Sequence, residues 1–193
     1  LESINWRAKI IGSKDISAMA ESLGTLLRLT LDQTSKEISL RRELESVRCY
    51  MTIQKFRYEE RLDYRILVPE NLMNHLVLKL SLQPLVENAV RYGLEENTDR
   101  CLIEILAETD HENESLYVYI KNNGSSFEEN LLEKLKTHEV EPHGFGIGLL
   151  NIQNRMQITF GEAYGIELYN EGELAVARLM FPLTNEKKGG AGC

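Results

Sequence analysis

The sequence predicts an α+β fold in which a helical segment precedes one sheet that is covered by helices on one face. Apolar residues recur at intervals of three and four from Ile16 to Leu31, as they do along one face of a helix. From about Asp63 the pattern changes to short apolar and β-branched runs bounded by turn residues, which indicate strands. Strands and helices are mixed unevenly after this point, which favours one sheet with helices packed against it.

A third helix is predicted to begin near Ser39. Its apolar stripe consists of Leu40, Leu44, Val47 and Met51. The charged residues between them have mixed signs and would lie mostly on the other faces, as on a solvated helix surface. The apolar stripes of these first helices need partners, which a helical hairpin or a dimeric bundle would supply.

The remaining chain contains the predicted sheet. Strands are expected at 64–68, 101–109, 116–121, 166–169 and 175–181. One helix is expected at 82–92, and another is expected directly after Gly148. Residues 184–193 lack bulky apolar side chains and are predicted to form a disordered tail.

The composition is that of an ordinary globular protein, with 193 residues of which 42% are hydrophobic and 27% are charged. The net charge of −8 disfavours a general nucleic-acid binder or a protein that binds anionic membranes. Three widely spaced cysteines without a CxxC pair suggest neither a disulfide framework nor a zinc site, and a reducing, cytosolic setting fits. No apolar run approaches the roughly 18 residues of a membrane span.

The first chemical motif is LQPLVENAVRYGL, residues 82–94. On a helix its apolar residues form one face, and Glu87, Asn88 and Arg91 then lie together on or near the other side. Asn88 can offer an amide oxygen to Mg²⁺, Arg91 can contact phosphate oxygens, and Glu87 can orient or deprotonate an attacking group. A solvated helix face with an incidental ion pair is the alternative.

Two glycine-containing motifs follow. In YIKNNGSSF, residues 119–127, a strand runs into a turn at which Gly124 allows the chain to bend and side chains can bind a flat heterocycle. In EPHGFGIGLLNIQNRM, residues 141–156, Gly144, Gly146 and Gly148 precede a predicted helix, whose free N–H groups attract phosphates. Taken singly, the first motif is more typical of a common turn, and the second is equally compatible with a flexible loop that happens to meet a helix.

Together, the three motifs resemble the N, G1 and G2 boxes of the GHKL ATPases, and most closely those of LytS/YesM-type sensor histidine kinases of bacterial two-component systems. The stretch LRRELESVRCYMTIQKFRYEERL, residues 40–62, resembles the segment that joins the dimerisation helices of that family to its ATP-binding domain. The resemblance covers roughly residues 1–183. It implies partial dimerisation and phosphotransfer helices plus a connector at 1–62, and a Bergerat-type α/β sandwich that binds ATP at 63–183.

The resemblance also implies ATP and Mg²⁺ as cofactors. Glu87 matches the acid that assists phosphoryl transfer, and Asn88 matches the Mg²⁺ ligand. Arg91 and Tyr92 match positions that contact phosphates, and Asn122 matches the residue that binds the adenine amino group. The remaining matching positions are Gly124, Gly144, Gly146, Gly148 and Leu149, and residues 127–143 match a mobile lid over the nucleotide.

Several residues depart from the family pattern. Asn122 stands where Asp is usual, which removes a charge-assisted hydrogen bond. Ser126 replaces the second glycine of the G1 box, and Tyr92 replaces a frequent His. None of the four histidines stands in the His-Phe-Leu-Tyr-Asn-type motif that carries the family's phosphoacceptor. We therefore expect a fragment that binds ATP but does not phosphorylate itself.

The implied whole protein is a membrane-anchored bacterial kinase. This chain would be its cytoplasmic portion, reaching the inner membrane only through segments outside the sequence. The expected partners are ATP and ADP, a response regulator receiver domain and a second copy of the chain, but no nucleic acid.

Other nucleotide-binding classes fit less well. A Rossmann motif would need a preceding strand and a glycine where Leu149 stands, and neither the P-loop signature nor the HRD and DFG signatures of protein kinases is present. The alternative from another class is a GHKL domain used as a nucleotide-gated binding module, such as an anti-sigma-type regulator. The dimerisation-like helices favour the kinase.

Overall fold

The computed structural model describes residues 1–32, 35–95, 100–112, 114–124, 126–137, 139 and 145–183, with only the backbone described at 95 and 145. The helices are α1 (Glu2–Ile10), α2 (Lys14–Leu31), α3 (Leu40–Tyr58), α4 (Leu82–Glu95), α5 (Leu131–Lys136) and α6 (Phe145–Phe160). The strands are β1 (Glu37–Ser39), β2 (Leu62–Leu67), β3 (Leu76–Leu78), β4 (Cys101–Asp110), β5 (Ser115–Asn122), β6 (Gly165–Glu171) and β7 (Leu174–Pro182). Each predicted strand and helix is therefore present within a few residues of its expected bounds.

The part of the chain from β2 to β7 contains a five-stranded sheet. Its strand order is β2-β4-β5-β7-β6, in which only β2 and β4 pair in parallel. Along β5 the side chains of Leu116, Val118, Ile120 and Asn122 are buried, while those between them are only partly buried. Because successive strand residues point to opposite faces, Asn122 lies on the same covered face as the three apolar residues.

Helices α3, α4 and α6 contribute to the core that covers this face. The apolar stripe of α3, from Leu40 to Met51, is at most 1% exposed and belongs to the same hydrophobic cluster as α4 and the sheet. The sequence had suggested a hairpin or bundle partner for this stripe. Periodicity indicates that a helix has a buried face but not which element covers that face. Here the α3 stripe packs in the cluster that contains α4 and the five-stranded sheet. The domain boundary at residue 62 stays a prediction.

The first two helices pack on each other as a hairpin, as predicted. Gly12, at the turn between them, has a positive φ of 72°. Asn5 and Lys9 on α1 both donate to Glu21 of α2, at 3.0 and 2.7 Å. Large apolar residues remain exposed on this hairpin and its turn, namely Leu1, Ile4, Trp6, Ile10, Ile11, Ile16, Met19, Leu23, Leu27 and Leu31. Within the described ranges, no helix is both long enough and apolar enough to cross a membrane.

Helix α6 begins earlier than predicted. The sequence placed its start after Gly148, whereas the helix begins at Phe145. Gly146 and Gly148 therefore lie in its first turn. The first four backbone N–H groups of a helix have no partner within the helix, so this turn still presents the free N–H groups expected of the glycine segment. Gly144 and the tail at 184–193 lie outside the described residues.

Candidate nucleotide-binding site

The polar side of α4 brings three of the predicted site residues together. The apolar side of α4 is buried in the core, with Leu85 and Val86 at 3% and 0% exposure. Glu87, Asn88 and Arg91 consequently line one cavity of about 450 Å³ between α3 and α4, which we call the α3–α4 cavity. Its full lining is Tyr50, Gln54, Arg57, Tyr58, Pro84, Glu87, Asn88, Val90, Arg91 and Gly148.

A second, smaller cavity lies at the end of β5, and we call it the β5 cavity. It is lined by Leu85, Asn88, Ala89, Tyr92, Ile120, Asn122, Phe127, Ala175 and Ala177. The two cavities share Asn88 as a lining residue, so they adjoin on α4, and we call the two together the path along α4. Asn122, the predicted adenine contact, lines the β5 cavity together with Tyr92, a predicted phosphate contact. The predicted phosphate contacts Arg91 and Gly148 line the α3–α4 cavity.

The β5 cavity is tight. Its volume is about 20 Å³, which holds little more than one water molecule. Phe127 forms part of its wall and is fixed by two hydrogen bonds to Asn170 of β6. The Phe127 N–H donates to Asn170 Oδ1 at 2.9 Å, and Asn170 Nδ2 donates to the Phe127 carbonyl at 2.8 Å. Entry of a purine base therefore requires a wall to move, and Phe127 is the first residue of the predicted lid.

The Asn88 side chain has the geometry of an oxygen ligand. Its Nδ2 donates to the Pro84 carbonyl at 2.5 Å, which leaves Oδ1 as the atom able to accept or to bind a cation. Among the described residues, no group of three His, Cys, Asp or Glu side chains could hold a metal ion. Mg²⁺ accepts an amide oxygen together with phosphate oxygens and waters, so the donor at Asn88 fits an ion that arrives with a nucleotide.

Gly124 is required for a close backbone approach. Its φ does not lie in the left-handed region, unlike that of Gly12. An ideal Cβ at Gly124 would lie 2.8 Å from the Gly93 Cα and 2.8 Å from Asn122 Nδ2. The turn after β5 thus packs directly on α4, and this contact holds Asn122 beside the helix. A nucleotide contact by Gly124 stays a prediction.

The glycines of the third motif divide between the core and the cavity. Gly146 is buried, and Gly148 is half-buried and lines the α3–α4 cavity. An ideal Cβ at Gly148 would meet no atom within 4 Å, so space there is open. Leu149 is fully buried in the hydrophobic core, where it supports the turn from below. A nucleotide contact by Leu149 stays a prediction.

The comparisons with known proteins agree on one family. A family model described as histidine kinase matches residues 1–62. Sensor histidine kinase YesM of Bacillus subtilis is 41% identical over 173 residues, which cover 90% of this chain and 28% of YesM. Sensor protein LytS of Oceanobacillus iheyensis is 30% identical over 171 residues, which cover 86% of this chain and 29% of LytS. The chain belongs to the histidine kinase family. It spans under a third of the length of these curated relatives.

Solved structures of histidine kinases share the fold. The catalytic domain of histidine kinase ThkA matches with a TM-score of 0.57 at 21% identity, covering 77% of this chain and 95% of that domain. ThkA in complex with the response regulator protein TrrA matches with a TM-score of 0.54 at 18% identity, covering 91% of this chain and 52% of that chain. The predicted fold class is confirmed: helices precede an α/β sheet domain like those of histidine kinase catalytic domains.

Sequence analysis missed the residue that anchors α4 in this kinase fold. Glu43 of α3 is 1% exposed, and its carboxylate accepts from the backbone N–H groups of Leu80, Ser81 and Leu82 at 3.1, 2.8 and 3.0 Å. Burial raises the pKa of the Glu43 carboxyl, while these N–H groups oppose that rise. The available signal was an acidic residue three positions after Leu40, on the apolar stripe of α3.

Two more residues hold the Glu87 carboxylate in place. Gln83 Nε2 donates to Glu87 Oε1 at 2.8 Å, and the buried Ser46 of α3 donates to Gln83 Oε1 at 2.8 Å. Tyr50 lines the same cavity, where burial raises the pKa of its hydroxyl and the negative charge of Glu87 raises it further. Tyr50 is therefore a neutral hydrogen-bond donor at physiological pH. No motif in the sequence signalled Ser46 or Tyr50.

Proposed function

We propose that this chain is the catalytic part of a sensor histidine kinase, which binds Mg²⁺-ATP and transfers the γ-phosphate to a histidine for relay to a response regulator. The supporting observation is that Asn88 lines both cavities, between the buried Asn122 and the charged pair Glu87 and Arg91. One extended ligand with a polar base at one end and anionic groups at the other suits this path.

Each residue has a role in this proposal. Asn122 accepts a hydrogen bond from the adenine amino group, and Tyr92 lies beside it in the same cavity. Asn88 Oδ1 binds the Mg²⁺ that neutralises phosphate charge. Arg91 and the N–H groups of the first turn of α6 bind phosphate oxygens. Phosphoryl transfer depends mainly on positioning and charge neutralisation, which these groups supply.

Glu87 is proposed to act on the nucleophile. Its carboxylate is held in one orientation by Gln83 and lies in the cavity where the terminal phosphate would emerge. From there it can orient an acceptor imidazole or take its proton. We propose that the acceptor is none of the four histidines of this chain, because none stands in the family's phosphoacceptor motif. Incubation of the chain with γ-labelled ATP should leave it without acid-labile label.

The partners follow from the relatives and from the surface. ThkA forms a complex with the response regulator TrrA, and we extend a partner of this kind to the present kinase. The exposed apolar residues of α1 and α2, among them Trp6 at 66% exposure, suit a helical dimer. Because YesM and LytS are named as sensors, we propose that this chain is the cytoplasmic portion of a membrane-bound sensor.

Calorimetry on this chain tests the nucleotide site. Titration with a non-hydrolysable ATP analogue and Mg²⁺ up to about 1 mM should show saturable binding. Asn88→Ala should weaken that binding by about tenfold or more, because the cation loses its protein ligand. The control is Asn74→Ala, which makes the same change at an exposed turn residue. Absence of heat for the unmodified chain would remove the nucleotide site from the proposal.

The catalytic step is tested in the whole kinase. Glu87→Gln keeps the size of the side chain and its contact with Gln83 while removing the charge. ATP binding should persist, and histidine phosphorylation should fall by about 100-fold or more. Undiminished phosphorylation would show that Glu87 plays no part in proton transfer.

A further inference from the structure

A cation on α3 faces the end of the nucleotide path. Arg57 lines the α3–α4 cavity together with Glu87, Asn88 and Arg91. Its guanidinium carbon lies 4.9 Å from the centre of the Tyr58 ring, a cation–π contact that limits the positions open to a long side chain. Arg57 belongs to none of the three motifs.

The order of groups along the path shows which part of a nucleotide this cation meets. The base end lies in the β5 cavity at Asn122, and Asn88 stands between the two cavities. Arg57, on the far wall of the α3–α4 cavity, does not line the β5 cavity. The group that reaches this wall is the one farthest from the base, which is the third phosphate of a nucleoside triphosphate.

The charges of the cavity support an anionic occupant. The charged lining residues are Arg57, Arg91 and Glu87, and Tyr50 and Tyr58 add hydroxyl groups. The terminal phosphate carries the largest negative charge of the nucleotide. The charge of Glu87 offsets that of Arg91, so a second arginine is needed to balance the charge of the phosphate. The cavity of about 1030 Å³ at the start of β2 is different, because its three acidic residues offset its three basic residues; the six are Glu59, Glu60, Asp63, Lys55, Arg61 and Arg100.

We infer that Arg57 binds the terminal phosphate of the nucleotide and makes the site prefer a triphosphate over a diphosphate. This inference rests on the proposed function. It adds a binding residue from α3, outside the three sequence motifs, and it gives the kinase a means of releasing its diphosphate product. Loss of the third phosphate removes the part of the nucleotide that Arg57 binds, so the contribution of Arg57 to nucleotide binding ends with transfer.

The test compares the affinities of two nucleotides for the unmodified chain and for two variants. Dissociation constants for Mg²⁺-ADP and for a non-hydrolysable Mg²⁺-ATP analogue are measured by calorimetry for the unmodified chain, Arg57→Gln and Arg48→Gln. Arg48 is an exposed arginine on the same helix that does not line the cavity, so it reports any general effect of lost charge. Arg57→Gln should weaken binding of the analogue by about tenfold and that of ADP by less than about twofold. Arg48→Gln should change neither by more than about twofold.

Three results would overturn the inference. Equal weakening of both nucleotides by Arg57→Gln would place Arg57 away from the third phosphate. An unchanged affinity for the analogue would remove Arg57 from the site, and an equal effect of Arg48→Gln would show a long-range field instead of a contact. If the unmodified chain binds neither nucleotide, the proposed function fails with it. Arg57→Lys, which keeps the charge but loses the planar fork, should recover part of the preference, and urea unfolding should show all variants folded.

Discussion

Replacement of Gly124 by alanine probes the contact that joins the β5 turn to α4. An added Cβ would lie 2.8 Å from the Gly93 Cα and 3.1 Å from the Gly93 backbone nitrogen. Carbon atoms reach their optimum separation at roughly 3.5–4.0 Å, so one partner must move by about 1 Å. The opposing atoms belong to helix backbone, which cannot rotate away as a side chain can. We expect a loss of about 1–3 kcal/mol in the free energy of unfolding, as for other overpacked sites.

The same methyl group would also disturb the proposed nucleotide site. It would lie 2.8 Å from Asn122 Nδ2, and Asn122 is only 5% exposed, with little space into which to retreat. The dissociation constant for an ATP analogue should therefore rise together with the loss of stability. Urea unfolding followed by circular dichroism gives the first quantity, and calorimetry at a temperature where the variant is folded gives the second.

Gly24→Ala is the matched control for this measurement. Gly24 lies inside α2, where an added Cβ meets atoms no closer than 3.9 Å. Alanine should stabilise this helix by up to about 1 kcal/mol, because glycine is the poorer helix former. If Gly124→Ala leaves the free energy of unfolding unchanged or raises it, as Gly24→Ala should, the close approach of the two backbones is not a structural requirement.

Three further predictions concern single residues. Glu43→Gln should cost about 1–3 kcal/mol in the free energy of unfolding, because the amide NH₂ would face backbone N–H donors and leave some without an acceptor; a neutral result in urea unfolding would contradict this. Asn122→Asp should tighten ATP binding by roughly five- to tenfold through a charge-assisted bond to the adenine amino group, and calorimetry showing unchanged or weaker binding would count against this role of Asn122. Burial raises the pKa of the Cys101 thiol from 9.0 to about 11, so stability from this group is complete below pH 9 and is lost as the pH rises through 11. The free energy of unfolding should fall by roughly 2–3 kcal/mol more over that range than it does in Cys101→Ala, and parallel pH profiles would refute the assignment.

The sequence was sufficient for the parts of the site that lie on one element. The period of 3.6 residues places Glu87, Asn88 and Arg91 on one side of a helix whose other side is apolar, and they line one cavity. Alternation along a strand likewise places Asn122 at the end of β5 with Ile120 on the covered face. These relations are local, so residue spacing carries them.

Contacts between residues far apart in the chain are harder to predict from the sequence. The packing of Gly93 on Gly124 joins positions 31 residues apart, and each glycine alone is compatible with an ordinary turn or helix position. The start of α6 was placed too late because glycine usually argues against a helix, whereas in the first turn its N–H groups need no helical partner. The partner of the α3 stripe could not be read from periodicity, which is the same for a helix buried by a sheet or by another helix.

The segment 79–82, which leads into α4, shows how contacts between distant parts of the chain position the candidate site. Glu43 of α3 binds the N–H groups of residues 80–82, and Arg155 of α6 donates to the Lys79 carbonyl at 2.6 Å. The buried Lys79 side chain in turn donates to the carbonyls of Thr30 and Asp32 at the end of α2. Three helices thus fix one short segment, and that segment sets the position of the helix that carries Glu87. The motif contains the candidate site residues, but the helix that carries them is held by hydrogen bonds between residues 37 to 76 positions apart in the chain.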